Sequence, residues 1–217
     1  MKPIILFGSG ATARMMRYQF ERIGRKIFAH VVDDGFVEAS FLDGLPVIPF
    51  SQLLISFPPA LYDCFICIGP ARQNQLRKER LDIIEKLGYG IASYVSPEAL
   101  VADHIDIYPH TKIGERSICQ PFVSLGKNVF IGSGCIIGHG TVIGDHCFIA
   151  SGVITGGGVR IGEYSFLGTG SILRNDIILG CRVTVGAGVT LLEDADDNSL
   201  YINTSSFRVP RPVDSPR

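Results

Sequence analysis

The residues Ile137 to Gly152, IGHGTVIGDHCFIASG, carry two imidazoles, His139 and His146, on a strict aliphatic cadence. Imidazole exchanges its proton near neutral pH, so either histidine is a candidate general base for a hydroxyl or an amine. From the residues alone the alternative also stands: an outward histidine on a repeat is surface decoration. A second group lies near the N-terminus, where GSGATA supplies Gly8, Ser9 and Gly10 and the run VVDD supplies Asp33 and Asp34. Tight glycine turns at a helix start let backbone N–H groups approach a phosphate, and an acid ending the next strand can accept a ribose hydroxyl. That chemistry is nucleotide binding; the bland reading is a structural turn.

The histidines need a frame, and the cadence describes it. Every sixth residue from Ile107 to Leu191 gives fifteen positions, of which thirteen are aliphatic, Cys119 and Thr155 being the exceptions. Glycine follows ten of them, from Gly114 to Gly186, and small or β-branched residues such as Thr111, Val129 and Ser165 precede them by two. A helix needs a period of 3.6 and a strand a period of two. Period six is the hexapeptide repeat of a parallel β-helix. Three hexads form one triangular coil, with the aliphatic and small residues inside and glycine relieving the corner. Residues eighteen apart then stack at about 4.8 Å, the spacing of neighbouring strands. His139 falls two residues past a beat, at an outward corner. Thr155 and the run Gly156, Gly157 and Gly158 break the cadence one coil above it, a place where a ligand can pass close to the backbone.

Residues 1–95 follow a different grammar. KPIILFGSG, KIFAHVVDD and YDCFICIG read as strands, ATARMMRYQFERIG and RQNQLRKERLDIIEKLGYG as helices, FSQLLISF as a short helix and IASYVSP as a last strand. Alternation at this spacing predicts a small parallel, Rossmann-like sheet. The first and third strands both run into glycine, at Gly8 and Gly69, where such sheets bind ligands. The expected class is therefore α/β plus all-β: a nucleotide-binding domain at 1–95, a β-helix at 96–203, and a loose proline-rich tail at 204–217.

Composition narrows the function. Of 217 residues, 46% are hydrophobic and 19% charged, the net charge is −1, and there is no Lys/Arg block, so nucleic acid is not an expected partner. No apolar run reaches the roughly 20 residues that span a bilayer, which predicts a soluble cytoplasmic protein without a membrane partner. The six cysteines, Cys64, Cys67, Cys119, Cys135, Cys147 and Cys181, are expected as buried thiols; Cys64 and Cys67 form C-x-x-C inside an apolar run rather than in a turn.

The motifs ILFGSGATA, VVDD, FICIG, YVSPEALV and IGHGTVIGDHCFIASG, from about residue 3 to 203, resemble the left-handed β-helix sugar acyltransferases of the PglD and NeuD type. The resemblance implies acyl transfer, acetyl first of all, from acyl-CoA to an amine or hydroxyl of a sugar or nucleotide-linked sugar, by a homotrimer with coenzyme A in the groove between subunits. It implies that Gly8, Ser9, Gly10, Asp33 and Gly69 contact a nucleotide, with Asp34 beside them. The family runs Ile-Gly-Asp-Asn and then arginine after the third strand; here IGPARQNQLR offers Arg72, Asn74 and Arg77. His139 matches the family's base in x-I-x-H-[DE]-x-x-[IV]-G, but Gly140 stands where the acid is expected. A backbone carbonyl, or a carboxylate from another corner or subunit, could steady the imidazolium, and Asp145 and Glu163, stacked in one column, are the carboxylate candidates. His146 would orient the acyl carbonyl or the acceptor. Gly157 and Gly158 would bind the oxyanion, Gly186, Ala187 and Gly188 would line the pantetheine arm, and Asn203 to Arg208 would replace the closing G-x-P-A at the adenine end.

Two further readings stay open: O-acetylation of a non-nucleotide acceptor such as sialic acid or a polysaccharide unit, or a non-catalytic trimer that binds a nucleotide sugar. A zinc centre of the β-helix carbonic anhydrase kind would need nitrogens about 2.0–2.1 Å from one ion. His110 and His146 lie two coils apart, about 9–10 Å by strand spacing, so no metal is expected.

Overall fold

A computed structural model describes residues 1–203. The N-terminal part is a sheet of β1 (Ile4–Phe7), β2 (Ile27–Val32), β3 (Phe41–Leu42), β4 (Leu45–Pro49), β5 (Asp63–Ile66) and β6 (Gly90–Ile91), with α1 (Ala11–Arg22), α2 (Leu53–Ser56) and α3 (Gln75–Lys86) between them. Strand order is β3-β4-β2-β1-β5-β6, parallel except for β3 against β4. The wholly buried strand β1, IILF, is apolar at every position, as a central strand covered on both faces must be. Helix α1 buries Ala13, Met16, Gln19 and Phe20, three to four residues apart on one stripe. The β3–β4 hairpin turns on Asp43 and Gly44, both at positive φ, the two-residue turn that Asp-Gly signals. It lies in a stretch for which the sequence reading proposed no element.

The sequence IASYVSP is not one strand. Gly90–Ile91 completes the first sheet beside β5, while Tyr94–Val95 pairs with Lys112–Ile113 and opens the repeat. The cadence therefore starts at Val95 and Val101, two beats before Ile107. Ile107 itself is 38% exposed, and Ile105 turns inward in its place. From there the chain winds as a left-handed parallel β-helix whose two-residue strands form three sheets of seven, six and four strands. Its ladders join residues eighteen apart: Cys119 to Ile137, Ile143 to Ile161, Ile149 to Leu167. The interior is one continuous core running from Ile105 to Ala195. The last coil closes in sixteen residues, with Tyr201 beside Val185.

Two glycine roles separate at the corners. The residue after each beat is glycine because of stacking: a Cβ on Gly138 would lie 2.3 Å from the Gly156 carbonyl oxygen, and one on Gly162 2.5 Å from the Gly180 backbone. The left-handed corner lies two residues later. Every sixth residue from His110 to Gly188 has positive φ, and eight of these fourteen carry side chains, including Asn128, His146, Tyr164 and Asp176. Five cysteines are buried as expected, but Cys181 is exposed, because it occupies an outward corner rather than an inward slot. Among the described residues no helix is long and apolar enough to cross a membrane.

Candidate active site

The three corner columns are set by residue number modulo eighteen. One holds Pro121, His139, Gly157 and Asn175; the next holds Lys127, Asp145, Glu163 and Cys181; the third holds Glu115, Ser133, Ser151, Thr169 and Ala187. His139 is exposed. Its N–H donates to Gln120 Oε1 at 2.9 Å, and its carbonyl accepts the Gly158 N–H at 2.8 Å. The ring lies against Gly157: a Cβ there would sit 2.4 Å from Cε1, 2.6 Å from Nε2 and 2.8 Å from Nδ1. Among the described residues neither ring nitrogen bonds to protein. Thr155, which broke the cadence, points inward, and its Oγ1 accepts the Gly138 N–H at 2.8 Å beneath this corner.

The fold separates His139 from two of its expected partners. Asp145 and His146 stand at the following corner of the same coil, so within one chain neither faces His139. The Asp145 carboxylate instead accepts the Lys127 N–H at 2.8 Å and caps the coil below. His146 rests on Tyr164, ring centres 4.8 Å apart, and its Nδ1 meets Asn128 Nδ2 at 3.0 Å. An amide donor makes that nitrogen the acceptor, which leaves the proton on Nε2. Burial, first of all, lowers its pKa; Asp145 opposes that and Arg77 adds to it.

Beneath His146 lies a cluster that motif reading assigned elsewhere. Arg77, expected as a phosphate candidate, is wholly buried against the β-helix. Its Nε donates to Asn128 Oδ1 at 2.8 Å, one terminal nitrogen to Asn74 Oδ1 at 2.9 Å, and the other to the carbonyls of His146, Asn128 and Cys147. The guanidinium covers Phe130 at 4.5 Å, and burial pushes its pKa down to about 9. Asn74 donates to the carbonyls of Tyr164 and Ser165. Neither residue is therefore available to a phosphate. Anchoring them holds Arg72, Gln73 and Asn74 in a left-handed turn, φ 50–65°, costing roughly 1–2 kcal/mol per residue. His110, also fully buried, donates from Nδ1 to Asn128 Oδ1 at 2.6 Å and accepts the Ile66 N–H at 2.9 Å; burial lowers its pKa to about 3. Among the described residues no three His, Cys, Asp or Glu side chains converge as metal ligands.

At the carboxyl ends of β1, β2 and β5 a cleft of about 340 Å³ is lined by Phe7, Gly8, Ser9, Val32, Asp33, Phe36, Ile68, Leu76 and Arg80. This is where strand order reverses around β1, the place open parallel sheets present to ligands. Gly8 has φ +123° and packs on the Cys67 carbonyl, and Gly10 caps α1, whose N-terminus opens here. Asp33 pairs with Arg80, Oδ2 to a terminal nitrogen at 2.9 Å. The other expected residues do not line the cleft. Asp34 caps Ser51 at 2.9 Å, Arg72 pairs with Glu79, and Gly69 follows Ile68 just outside. Phe36, Leu76 and Arg80 were missed; Leu76 and Arg80, four apart on α3, shared a helix face that the sequence displayed.

The segment Gly186, Ala187 and Gly188 forms the third corner, one coil from the end, with Asn203 Nδ2 donating to the Ala187 carbonyl at 3.3 Å. Within one chain that corner is not the corner of His139, Gly157 and Gly158. Arg208 lies outside the described residues.

The family model described as bacterial transferase hexapeptide (six repeats) matches residues 122–157, and that described as hexapeptide repeat of succinyl-transferase matches 158–193. The two matches together cover residues 122–193, coils of the β-helix. The acetyltransferase domain of PglB from Neisseria gonorrhoeae superposes with a TM-score of 0.82 at 24% identity, covering 92% of this chain and 96% of that one. A perosamine N-acetyltransferase variant from Caulobacter crescentus, in complex with CoA and GDP-perosamine, gives 0.69 at 24% identity over 92% and 93%. WeeI from Acinetobacter baumannii gives 0.55 at 19% identity over 92% and 96%. No curated protein matches the chain in sequence. The shared fold spans both parts, sheet and β-helix.

Proposed function

We propose that this protein transfers an acyl group, acetyl in the first instance, from acyl-coenzyme A to an amine or hydroxyl of a nucleotide-linked sugar. One observation carries the reading: an exposed imidazole, free of protein hydrogen bonds among the described residues, lies over a floor without side chains, Gly157. His139 takes the acceptor's proton as its nitrogen or oxygen attacks the thioester carbon. The new C–N or C–O bond forms, the C–S bond breaks, and the leaving thiolate recovers the proton from the imidazolium. Such a base contributes about 10²–10⁴-fold. Of the two expected oxyanion donors, Gly158 already gives its N–H to His139, whereas the Gly157 N–H has no acceptor among the described residues. Gly157 is thus the donor we assign to the oxyanion.

The nucleotide would occupy the cleft at Gly8, Ser9 and Asp33, its phosphates toward the N-terminus of α1. The similar perosamine enzyme, solved with CoA and GDP-perosamine, supports this two-substrate reading, as does the PglB domain solved with acetyl coenzyme A. We further propose a homotrimer in the cytoplasm. An outward apolar column on the strands leading to the His139 corner, with Leu100, Ile154 and Ile172 exposed, supports self-association. Packing subunits there brings one corner beside another subunit, the arrangement in which Gly186–Gly188 and Asn203 would join His139 along coenzyme A.

Thiol release from acetyl-CoA, measured with nucleotide-linked and free amino- and hydroxy-sugars, tests the proposal. The expected result is turnover with a nucleotide-linked acceptor and a loss of about 10²–10⁴-fold in His139→Asn. Turnover only with a free sugar would transfer the case to O-acetylation of sialic acid or a polysaccharide unit. Calorimetric binding of a nucleotide sugar with no thiol release from any acceptor would leave a non-catalytic trimer. Unchanged turnover in His139→Asn removes the base assignment.

A further inference from the structure

We propose that Asp176 is the carboxylate that serves His139, acting as a positioning residue across the floor made by Gly157 and Gly158. The inference rests on the reading of His139 as base. It answers a gap the fold leaves open, since residue 140 is glycine and Asp145 and Glu163 belong to another corner.

Two consecutive glycines are occupied by two side chains arriving from opposite directions. The His139 ring rises from the coil below into the space over Gly157. The Asp176 carboxylate descends from the coil above into the space over Gly158, where a Cβ would meet its Oδ1 at 2.3 Å. The backbone ladder fixes both approaches: the Gly158 N–H donates to the His139 carbonyl at 2.8 Å, and the Asp176 N–H donates to the Gly157 carbonyl at 2.9 Å. Asn175 Nδ2 donates to Asp176 Oδ2 at 2.6 Å, which leaves Oδ1 with no protein donor among the described residues. An acceptor-only oxygen therefore stands one residue along the floor from an imidazole whose nitrogens are equally free. A water bridging the two satisfies both.

The column explains why the acid sits here. Gly140, Gly158 and Asp176 occupy the same left-handed corner slot in successive coils, φ 66°, 69° and 60°. The absent side chain at Gly158 gives Asp176 the depth to reach down. The other charged or titratable groups at this corner are Arg160, Arg174, Glu193 and Asp194, whose Oδ1 accepts the Ile178 N–H at 2.8 Å, with Asp103 and His104 two coils below His139 and Gly140, the His104 ring accepting the Phe122 N–H at 2.6 Å. Neither arginine forms an ion pair with Asp176 among the described residues.

Asp176→Asn is the test variant, because asparagine adopts the left-handed slot readily and can still accept from Asn175. A nearby carboxylate steadies the imidazolium that forms in the transition state, so its removal should lower kcat by about tenfold while KM for acetyl-CoA and for the acceptor stays within about twofold. The double variant Asp176→Asn with Gly140→Asp should restore kcat: a Cβ at 140 has the Gly158 nitrogen at 3.9 Å as its nearest neighbour, and other coils carry side chains in that slot. A kcat in Asp176→Asn within about twofold of wild type, or a loss that Gly140→Asp does not restore, overturns the inference. If His139→Asn is inactive while Asp176→Asn matches wild type, only this inference falls. If His139→Asn is fully active, the base reading falls first.

Discussion

Gly157 contributes to the site by what it lacks. Its φ is not in the left-handed region, so its backbone would accept alanine without strain. What alanine cannot share is the room held by the His139 ring, whose three nearest atoms would all stand within 2.8 Å of the new methyl. The ring ends a rotatable side chain and would swing outward rather than break the coil. Gly157→Ala should therefore lower kcat/KM by at least about tenfold, the cost of a misplaced base, with thermal unfolding shifted by no more than a few degrees. Steady-state thiol release beside a melting curve checks this. Wild-type activity would show that catalysis does not use the ring where the fold holds it. No property of the sequence singled out Gly157 from its neighbours Gly156 and Gly158, since the distinction lies in which residue eighteen positions earlier leans over it.

At the scale of elements, the β-helix was almost fully legible because its period is local: each hexad repeats the demand for an inward aliphatic and a close backbone approach. Its ends were not, because a beat can persist after the coil has opened, as at Ile107, or lie hidden in a strand read as part of the first sheet, as at Val95. The cleft beside β1 was half legible. Gly8, Ser9 and Asp33 were visible from a loop motif, while Asp34 and Arg72 turned out to be paired elsewhere. Side chains on one helix can be assigned to opposite duties only when both packing partners are known: α3 sends Leu76 and Arg80 to the cleft and Arg77 into the β-helix. The two glycine roles make a sharper prediction. Gly138→Ala places a methyl 2.3 Å from the next coil's carbonyl oxygen, an overpacking that should cost about 1–3 kcal/mol. Gly140→Ala meets nothing closer than 3.9 Å and should cost only the left-handed backbone penalty, about 1 kcal/mol. Urea midpoints for the two variants should differ in that order; equal midpoints would mean the coils do not stack as closely as the ladders require.

For the molecule as a whole, the sheet and the β-helix are joined by a seam of buried polar groups as well as apolar ones. Phe65 stacks on Phe130 across it at 5.6 Å, Gln19 reaches Glu115 at one corner, and Arg77 reaches Asn128 at another. His110 lies at the centre, tying Asn128 to the backbone of β5, the strand that leads into the cleft at Gly8. Its neutral form is built in, since one ring nitrogen donates and the other accepts, and Arg77 nearby opposes a further charge. The unfolded chain protonates such a histidine near pH 6.5, whereas burial holds the folded value at about 3. Below pH 6.5 the unfolded state therefore binds the extra proton, and stability must fall as pH falls. His30 and His146 are lowered in the same direction, also chiefly by burial. The depressed carboxylates of Asp43 and Glu115 lose their contribution only at lower pH, as they are protonated, so they are silent between pH 7 and 5. His110 alone should cost about 2 kcal/mol across that interval, at about 1.4 kcal/mol per pH unit below its unfolded value. Urea unfolding at pH 7 and pH 5 should show the loss in wild type and a clearly smaller one in His110→Asn, which suits the left-handed slot and does not titrate. A wild-type midpoint unchanged between the two pH values would mean that the seam admits the proton, and with it water, and does not bind the two halves as a dry joint.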